Sequence, residues 1–363
     1  MKDVLKIAGT FVGFLAGAGF ASGQEILQFF VNFGVWGLAG MLISTMVFVF
    51  LGMALASMGS RLQATSHKEV VYAICGSWFG PLVDGLITFF TFAIAVVMLA
   101  GAGALLEQQF GLTATLGSAL ATLLVVLATC LKLRRVIALI SGVTPLLVLV
   151  SLGIAGYAVM TRDVDLATLD RLAEAQVAAA SHWWLGALLY VSYNIFGGIA
   201  ILAIAGGSAT NARTAAWGGV LGGLMLGGLM FVIGLALLSR LDSLTDAPMP
   251  MLLLANEISS ALSLVVALVI LGMVLNTAVG ALYSFSARFL TTDTPSFSLG
   301  AAVFGLIAYG CSLVGFINLV GMVYPIFGYI GFFLMATILF AWVRQRQEQS
   351  PAAMAVTIQQ EGQ

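Results

Sequence analysis

Apolar runs of membrane-crossing length follow one another along almost the whole chain, and this leaves few architectures open to it. A helix crosses the hydrocarbon core with about 20 apolar residues. Ten such stretches can be marked: Val4 to Val31, Val35 to Met58, Leu82 to Leu106, Leu112 to Leu131, Val136 to Met160, Trp183 to Gly206, Ala215 to Leu238, Ser260 to Phe289, Ser298 to Gly315 and Asn318 to Val343. Hydrophobic residues make up 61% of the 363 and charged ones 8%, against roughly 25% charged in a soluble domain. The expectation is an all-α polytopic membrane protein of ten transmembrane helices, with residues 1–344 forming one transmembrane domain.

Basic residues in short loops set orientation. With the N-terminus inside, Lys2, Lys6, Arg61, Lys68, Lys132, Arg134, Arg135, Arg213, Arg288, Arg344 and Arg346 fall on the cytoplasmic side, and only Arg162, Arg171 and Arg240 fall outside. An odd number of spans would move whole basic loops to the wrong side, so both termini are expected in the cytoplasm. Thr161 to Ser181 reads as a short amphipathic helix on the outer surface, and residues 345–363 as a disordered tail. Lys2, Lys6 and the small residues after the first apolar run imitate a secretory signal, but the sequence that follows is membrane-like throughout. A net charge of -1 without runs of like charge gives no sign of a nucleic-acid partner. Cys75, Cys130 and Cys311 lack metal-type spacing and read as reduced, apolar thiols.

The first run is not a plain anchor. Gly13 to Glu25 interrupts it with four glycines, Ser22, Gln24 and Glu25. Broken helix at membrane depth survives only where it is buried in protein or lines a wet cavity, so the interruption implies a site. Ser22-Gly23-Gln24-Glu25 fits a capping box, which predicts an inner half-helix to about Ala16 and an outer half-helix from Gly23 to about Val31. The positive end of the outer half suits a carboxylate, and the carbonyls ending the inner half suit a cation. The sixth run carries a comparable cluster, Ser192-Tyr193-Asn194-Ile195-Phe196-Gly197-Gly198, which predicts a second break. Interrupted segments at corresponding positions of two halves point to a transporter binding site. Residues 4–160 and 183–343 are then expected to be inverted repeats of five spans each.

These features carry a resemblance. Gly13-x-x-x-Gly17-x-Gly19, a glycine-bearing sixth span and ten spans starting and ending inside resemble the amino acid-polyamine-organocation superfamily, with its leucine-transporter (LeuT) fold. The string Gly17 to Glu25 is similar to that of the YkvI-like bacterial membrane proteins. The resemblance implies a bacterial inner-membrane location, and a mobile set of spans one, two, six and seven rocking on spans three, four, eight and nine. It also implies a sodium site of the Gly13 and Ala16 carbonyls with Thr277 and the Met273 carbonyl. Asn276 stands where a second hydroxyl residue is usual, and its amide oxygen can also hold a hard cation.

Gly17, Ala18, Gly19 and Phe20, with Gln24 and Glu25, make one wall of the expected substrate site. Their glycines are also small-xxx-small packing motifs. Glu25 has two readings that do not exclude one another: proton carrier or partner of a substrate amine, and member of the capping box. Ser192, Tyr193, Asn194, Phe196 and Gly197 make the facing wall, with Tyr193 as a packed aromatic the plainer alternative. Phe90 is expected opposite, or as ordinary packing. Asp84 reads as a helix-dipole partner in the first turn of the third span, and Glu107 and Glu257 read as solvated. The glycine pairs Gly218-Gly219, Gly222-Gly223 and Gly227-Gly228 predict tight helix packing. No G-x-x-x-x-G-K-[ST], H-E-x-x-H or G-x-S-x-G motif is present, so no ATP-driven or enzymatic chemistry is indicated. The expectation is a secondary transporter of a small amino acid-like solute, without a cofactor and coupled to sodium or protons. A channel or uniporter, and a solute-binding sensor or scaffold, are the alternatives.

Overall fold

The computed structural model describes residues 1–64, 67–130, 144–161, 171–173, 176, 178–244, 247–292 and 294–348. The expectations for Lys132, Arg134 and Arg135, for most of Thr161 to Ser181 and for the tail beyond Glu348 lie outside these residues. The described chain is helical. In order, its helices are α1 (Lys2–Leu15), α2 (Ala18–Ser22), α3 (Gln24–Phe29), α4 (Val35–Leu62), α5 (His67–Phe110), α6 (Ala114–Cys130), α7 (Thr144–Met160), α8 (Trp183–Gly207), α9 (Ala212–Ser239), α10 (Pro250–Ile258), α11 (Ser260–Phe289), α12 (Pro295–Ser312) and α13 (Phe316–Glu348). Seven of them, α4, α5, α8, α9, α11, α12 and α13, are long and apolar enough to cross a membrane, and Ala114–Cys130 and Leu149–Met160 are shorter apolar helices. The chain is a multi-pass membrane protein.

Helix ends are set by local chemistry. Asn211 caps α9 by accepting from the Thr214 N–H at 2.8 Å, and Ser259 caps α11 by accepting from the Leu262 N–H at 3.1 Å. Thr294 caps α12 through the Phe297 N–H at 3.2 Å, with Pro295 in the first turn, where its missing N–H costs nothing.

Packing sorts the described helices into two groups. α4 lies against α8 and α9, and α1 against the same two; α5 packs on α11 and α6, and α12 on α5, α6 and α11. Apolar side chains gain little by leaving lipid for a helix interface, so close backbone approach does the holding. A Cβ on Gly219 of α9 would fall on the Gly52 carbonyl of α4, and one on Gly59 of α4 would fall on the Ala203 carbonyl of α8. α13 leans mainly on α8, with α5 and α4 behind.

Several expectations need correction. The sixth span is not broken: α8 runs helical through Ser192 to Gly198. Asn194 turns its amide back to the Tyr190 carbonyl at 2.9 Å, a bond within the helix. Glycines are tolerated in membrane helices where neighbours pack closely, and Gly197 and Gly198 do that here. The third span starts somewhat before Leu82: its helix runs back to the break at Gly76 (φ 72, ψ 179), which parts it from a shorter helical stretch beginning at His67. Asp84 is therefore well inside a helix, and its carboxylate pairs with Arg288 of α11 at 2.8 Å. Glu257 is exposed, as expected, and also pairs with Arg240 at 3.3 Å. Residues 345–348 belong to α13 rather than to a disordered tail.

Candidate functional site

The site is built where the first run leaves helical geometry. α1 ends at Leu15, Ala16 sits at φ -75, ψ 47, and Gly17 is extended. One short turn, α2, follows, and Gly23 at φ 83 then redirects the chain into α3. Only glycine fits there: the left-handed backbone disfavours a side chain, and a Cβ would press on Met251 of α10 at 3.0 Å. The Ser22 hydroxyl donates to the Gly19 carbonyl at 2.7 Å and accepts from the Gln24 N–H at 3.2 Å. So Ser22 closes α2 and satisfies the first N–H of α3, whose cap position is Gly23, but Glu25 does not reach back to it, and the capping-box role expected of Glu25 is not realised.

Glu25 is instead turned inward, toward α8. One carboxylate oxygen, Oε2, accepts from the Tyr193 hydroxyl at 2.7 Å. The other lies over Gly19, where a Cβ would fall on it. Tyr193 stacks on Tyr324 of α13 with ring centres 4.6 Å apart and planes at 16°, meets the edge of Tyr190 at 5.5 Å and lies 5.5 Å from Phe29 of α3. All of these are buried. Among the described residues no basic side chain pairs with Glu25. The result is an acid in an aromatic enclosure, reached by one phenol and with no counter-charge among the described residues.

One turn further along α8 a second cluster closes the space between α5, α8 and α13. Phe90 of α5 meets Phe196 at 5.6 Å and Phe327 of α13 at 4.7 Å. The Phe90 ring comes within 2.6 Å of where a Cβ on Gly197 would sit, so the glycine makes room for it.

Thus Gly19, Glu25 and Tyr193 meet, and Phe90, Phe196 and Gly197 meet beside them. Gly17 caps the short turn that begins at Ala18, and Phe20 is buried behind it. Ser192 faces away, donating to the Gly328 carbonyl of α13 at 2.6 Å, and Asn194 is used within its own helix. Gln24 is buried with its side-chain oxygen unpartnered. Of the residues implied for sodium, Gly13 and Ala16 lie at the end of α1, where the Ala16 backbone turns out of the helix. Met273, Asn276 and Thr277 lie mid-way along α11, which packs on α2. Sequence reasoning missed Tyr190, Tyr324, Phe327, Phe29 and Gln28. Tyr190 stands three residues before Tyr193 and Gln28 four after Gln24, a helical spacing that places them on the same faces.

No protein-family model matches the chain. The uncharacterized membrane protein YkvI of Bacillus subtilis (strain 168) is 28% identical over 338 residues, covering 92% of this chain and 94% of the relative. The uncharacterized protein YyaD of the same organism is 27% identical over 343 residues, covering 93% and 96%. Among solved structures, a manganese transporter mutant of Eremococcus coleocola superposes with a TM-score of 0.62 at 17% identity, covering 93% of this chain and 78% of that one. The inward-facing conformation of Mhp1 superposes with a TM-score of 0.52 at 13% identity, covering 91% and 72%. The fold is that of the LeuT-type transporters. Within this LeuT-type fold the interrupted first run, α8 and α13 bring Gly19, Glu25, Tyr193 and Tyr324 to one place, and no single element could have done so.

Proposed function

We propose that this chain is a secondary active transporter of the bacterial inner membrane, moving a small amino acid-like solute by alternating access with sodium or protons as the coupling ion. The observation that carries the reading is the position of Glu25: an acid in the interrupted first crossing, buried at 6% exposure and held by Tyr193 of α8. Ionisable groups at membrane depth are costly and mark solute or ion pathways. In this reading the first crossing, α4, α5, α6, the fifth crossing ending in α7, α8, α9, α11, α12 and α13 are the ten spans. Residues 4–160 and 183–343 are inverted repeats, and both termini lie in the cytoplasm.

Solute enters between Gly17 to Phe20, Gln24 and Glu25 on one side and Tyr193, Phe196 and Gly197 on the other, with Phe90 as the inner wall. Sodium, where it is the driving ion, is held by the Gly13 and Ala16 carbonyls with Thr277, Asn276 and the Met273 carbonyl. The group of α1, α4, α8 and α9 moves as a body against α5, α6, α11 and α12.

A thermal-shift screen of purified protein against amino acids, amines and nucleobases, with and without sodium, selects the solute, and proteoliposome uptake tests it. Gly19→Leu drives a side chain into the Glu25 carboxylate and is expected to abolish uptake while membrane insertion stays normal. Wild-type uptake by that variant would remove the site. Thr277→Ala is expected to weaken sodium dependence, and an unchanged sodium titration would remove the cation assignment.

A further inference from the structure

The transport reading leaves the coupling ion open, and the polar side chains of α3 bear on it. Gln24, Glu25 and Gln28 fall within about 100° of one another around the helix, and all three are buried, at 2%, 6% and 4% exposure. Buried polar groups need partners, and here the partners are incomplete in a consistent way. The Gln28 amide donates to the Ile317 carbonyl of α13 at 3.0 Å, which fixes its orientation and turns its oxygen the other way. That oxygen has no partner, nor has the side-chain oxygen of Gln24. Glu25 commits one oxygen to Tyr193, and the other makes no hydrogen bond among the described residues. This face of α3 therefore offers acceptors that a donor such as water can satisfy.

We propose that Glu25 is a proton-loading site, and that Gln24 and Gln28 hold the hydrogen-bonded water through which protons reach it from the outer surface. The proposal rests on the transport reading for its direction. The titratable groups facing Glu25 are the phenols of Tyr190 and Tyr193 on α8 and of Tyr324 on α13. Of the neighbouring elements, α2 sets Gly19 against the Glu25 carboxylate, and α9 and α10 set Leu237 and Met251 against Gly23 beside it; none of these is titratable. In the loading step a hydronium in the water file gives its proton to the free carboxylate oxygen, an O–H bond forms there, and a water molecule is left behind. Tyr193 keeps its bond to the other oxygen. Release to the inner side reverses the step and leaves Glu25 charged for the next cycle.

The first test needs no solute. Infrared difference spectra of lipid-reconstituted protein, taken between acid and alkaline pH, are expected to show a protonated-carboxyl band that disappears in Glu25→Gln. After mixing with heavy water, the deuterium shift of that band is expected to slow by about tenfold in Gln24→Leu. Gln24 is chosen because its side chain makes no hydrogen bond among the described residues, whereas Gln28→Leu also severs the bond to α13. A band that survives Glu25→Gln, or exchange in Gln24→Leu as fast as in the wild type, overturns the proposal. Uptake driven by sodium and indifferent to pH overturns it while leaving transport intact. Proton loading at Glu25 in a protein that moves no solute upholds it and removes the transport reading instead.

Discussion

At the scale of single residues, the Tyr193 hydroxyl is the group whose removal isolates the polar part of the site from its packing. Tyr193→Phe keeps the ring stacked on Tyr324 and edge-on to Tyr190, and deletes only the donor to Glu25. A hydrogen bond is worth about 1 kcal/mol net, and about 1.5–3 kcal/mol when one partner is charged. The variant is therefore expected to lose about 1–3 kcal/mol of stability in detergent unfolding. Tyr324→Phe removes a hydroxyl that makes no hydrogen bond among the described residues, and should stay within about 0.5 kcal/mol of the wild type. Equal losses would mean that ring burial, and not the bond to Glu25, holds the cluster. Glu25 was legible in the sequence because an acid inside an apolar run is costly without a role, and of its two readings the capping box is the one the structure does not realise. Tyr324 was not, since it lies 131 residues from Tyr193 in the chain and only the path of α13 brings the two rings together.

At the scale of elements, the same residue type did opposite things in two places. Glycines and a polar cluster interrupt the first run, where Gly23 takes a left-handed turn, yet α8 passes helically through Gly197 and Gly198. The sequence shows where a helix is permitted to break, and neighbours decide whether it does: Phe90 and Phe14 occupy the space those two glycines leave. The paired glycines of α9 divide in the same way. Gly219 faces the Gly52 carbonyl of α4, whereas Gly228 has nothing within 4 Å. Gly219→Ala is expected to cost about 1–3 kcal/mol, as overpacking of a close interface does. Gly228→Ala should be neutral, or gain about 0.5–1 kcal/mol from helix propensity. Unfolding of the two purified variants in parallel checks this, and a Gly219→Ala protein as stable as its partner would show that α4 and α9 are not held by backbone approach. Apolar periodicity could locate both helices, but the face each glycine presents depends on a partner the linear pattern does not contain.

At the scale of the molecule, the two packing groups make a statement about motion. Within one group α4 meets α8 and α9 backbone to backbone, and packed surfaces of this kind have few alternative arrangements short of coming apart. Between the groups the Phe90 ring at Gly197 is a side-chain contact, which can re-form in another rotamer. The seam, with α2, α3 and α10 lying along it, is where a change of access has to occur. Hydrogen–deuterium exchange on lipid-reconstituted protein separates this from diffuse breathing. On adding the solute selected by thermal shift, amides of α2, α3 and α10 are expected to change protection. Those of α4 and α9 around Gly52 and Gly219 should keep theirs. Interfaces that stay packed during a hinge or rocking motion do not open, while the elements that move come from the less stable end of the structure. Protection changes spread evenly over both groups would mean that neither moves as a body, and the rocking scheme would have to give way to local opening around Glu25 alone.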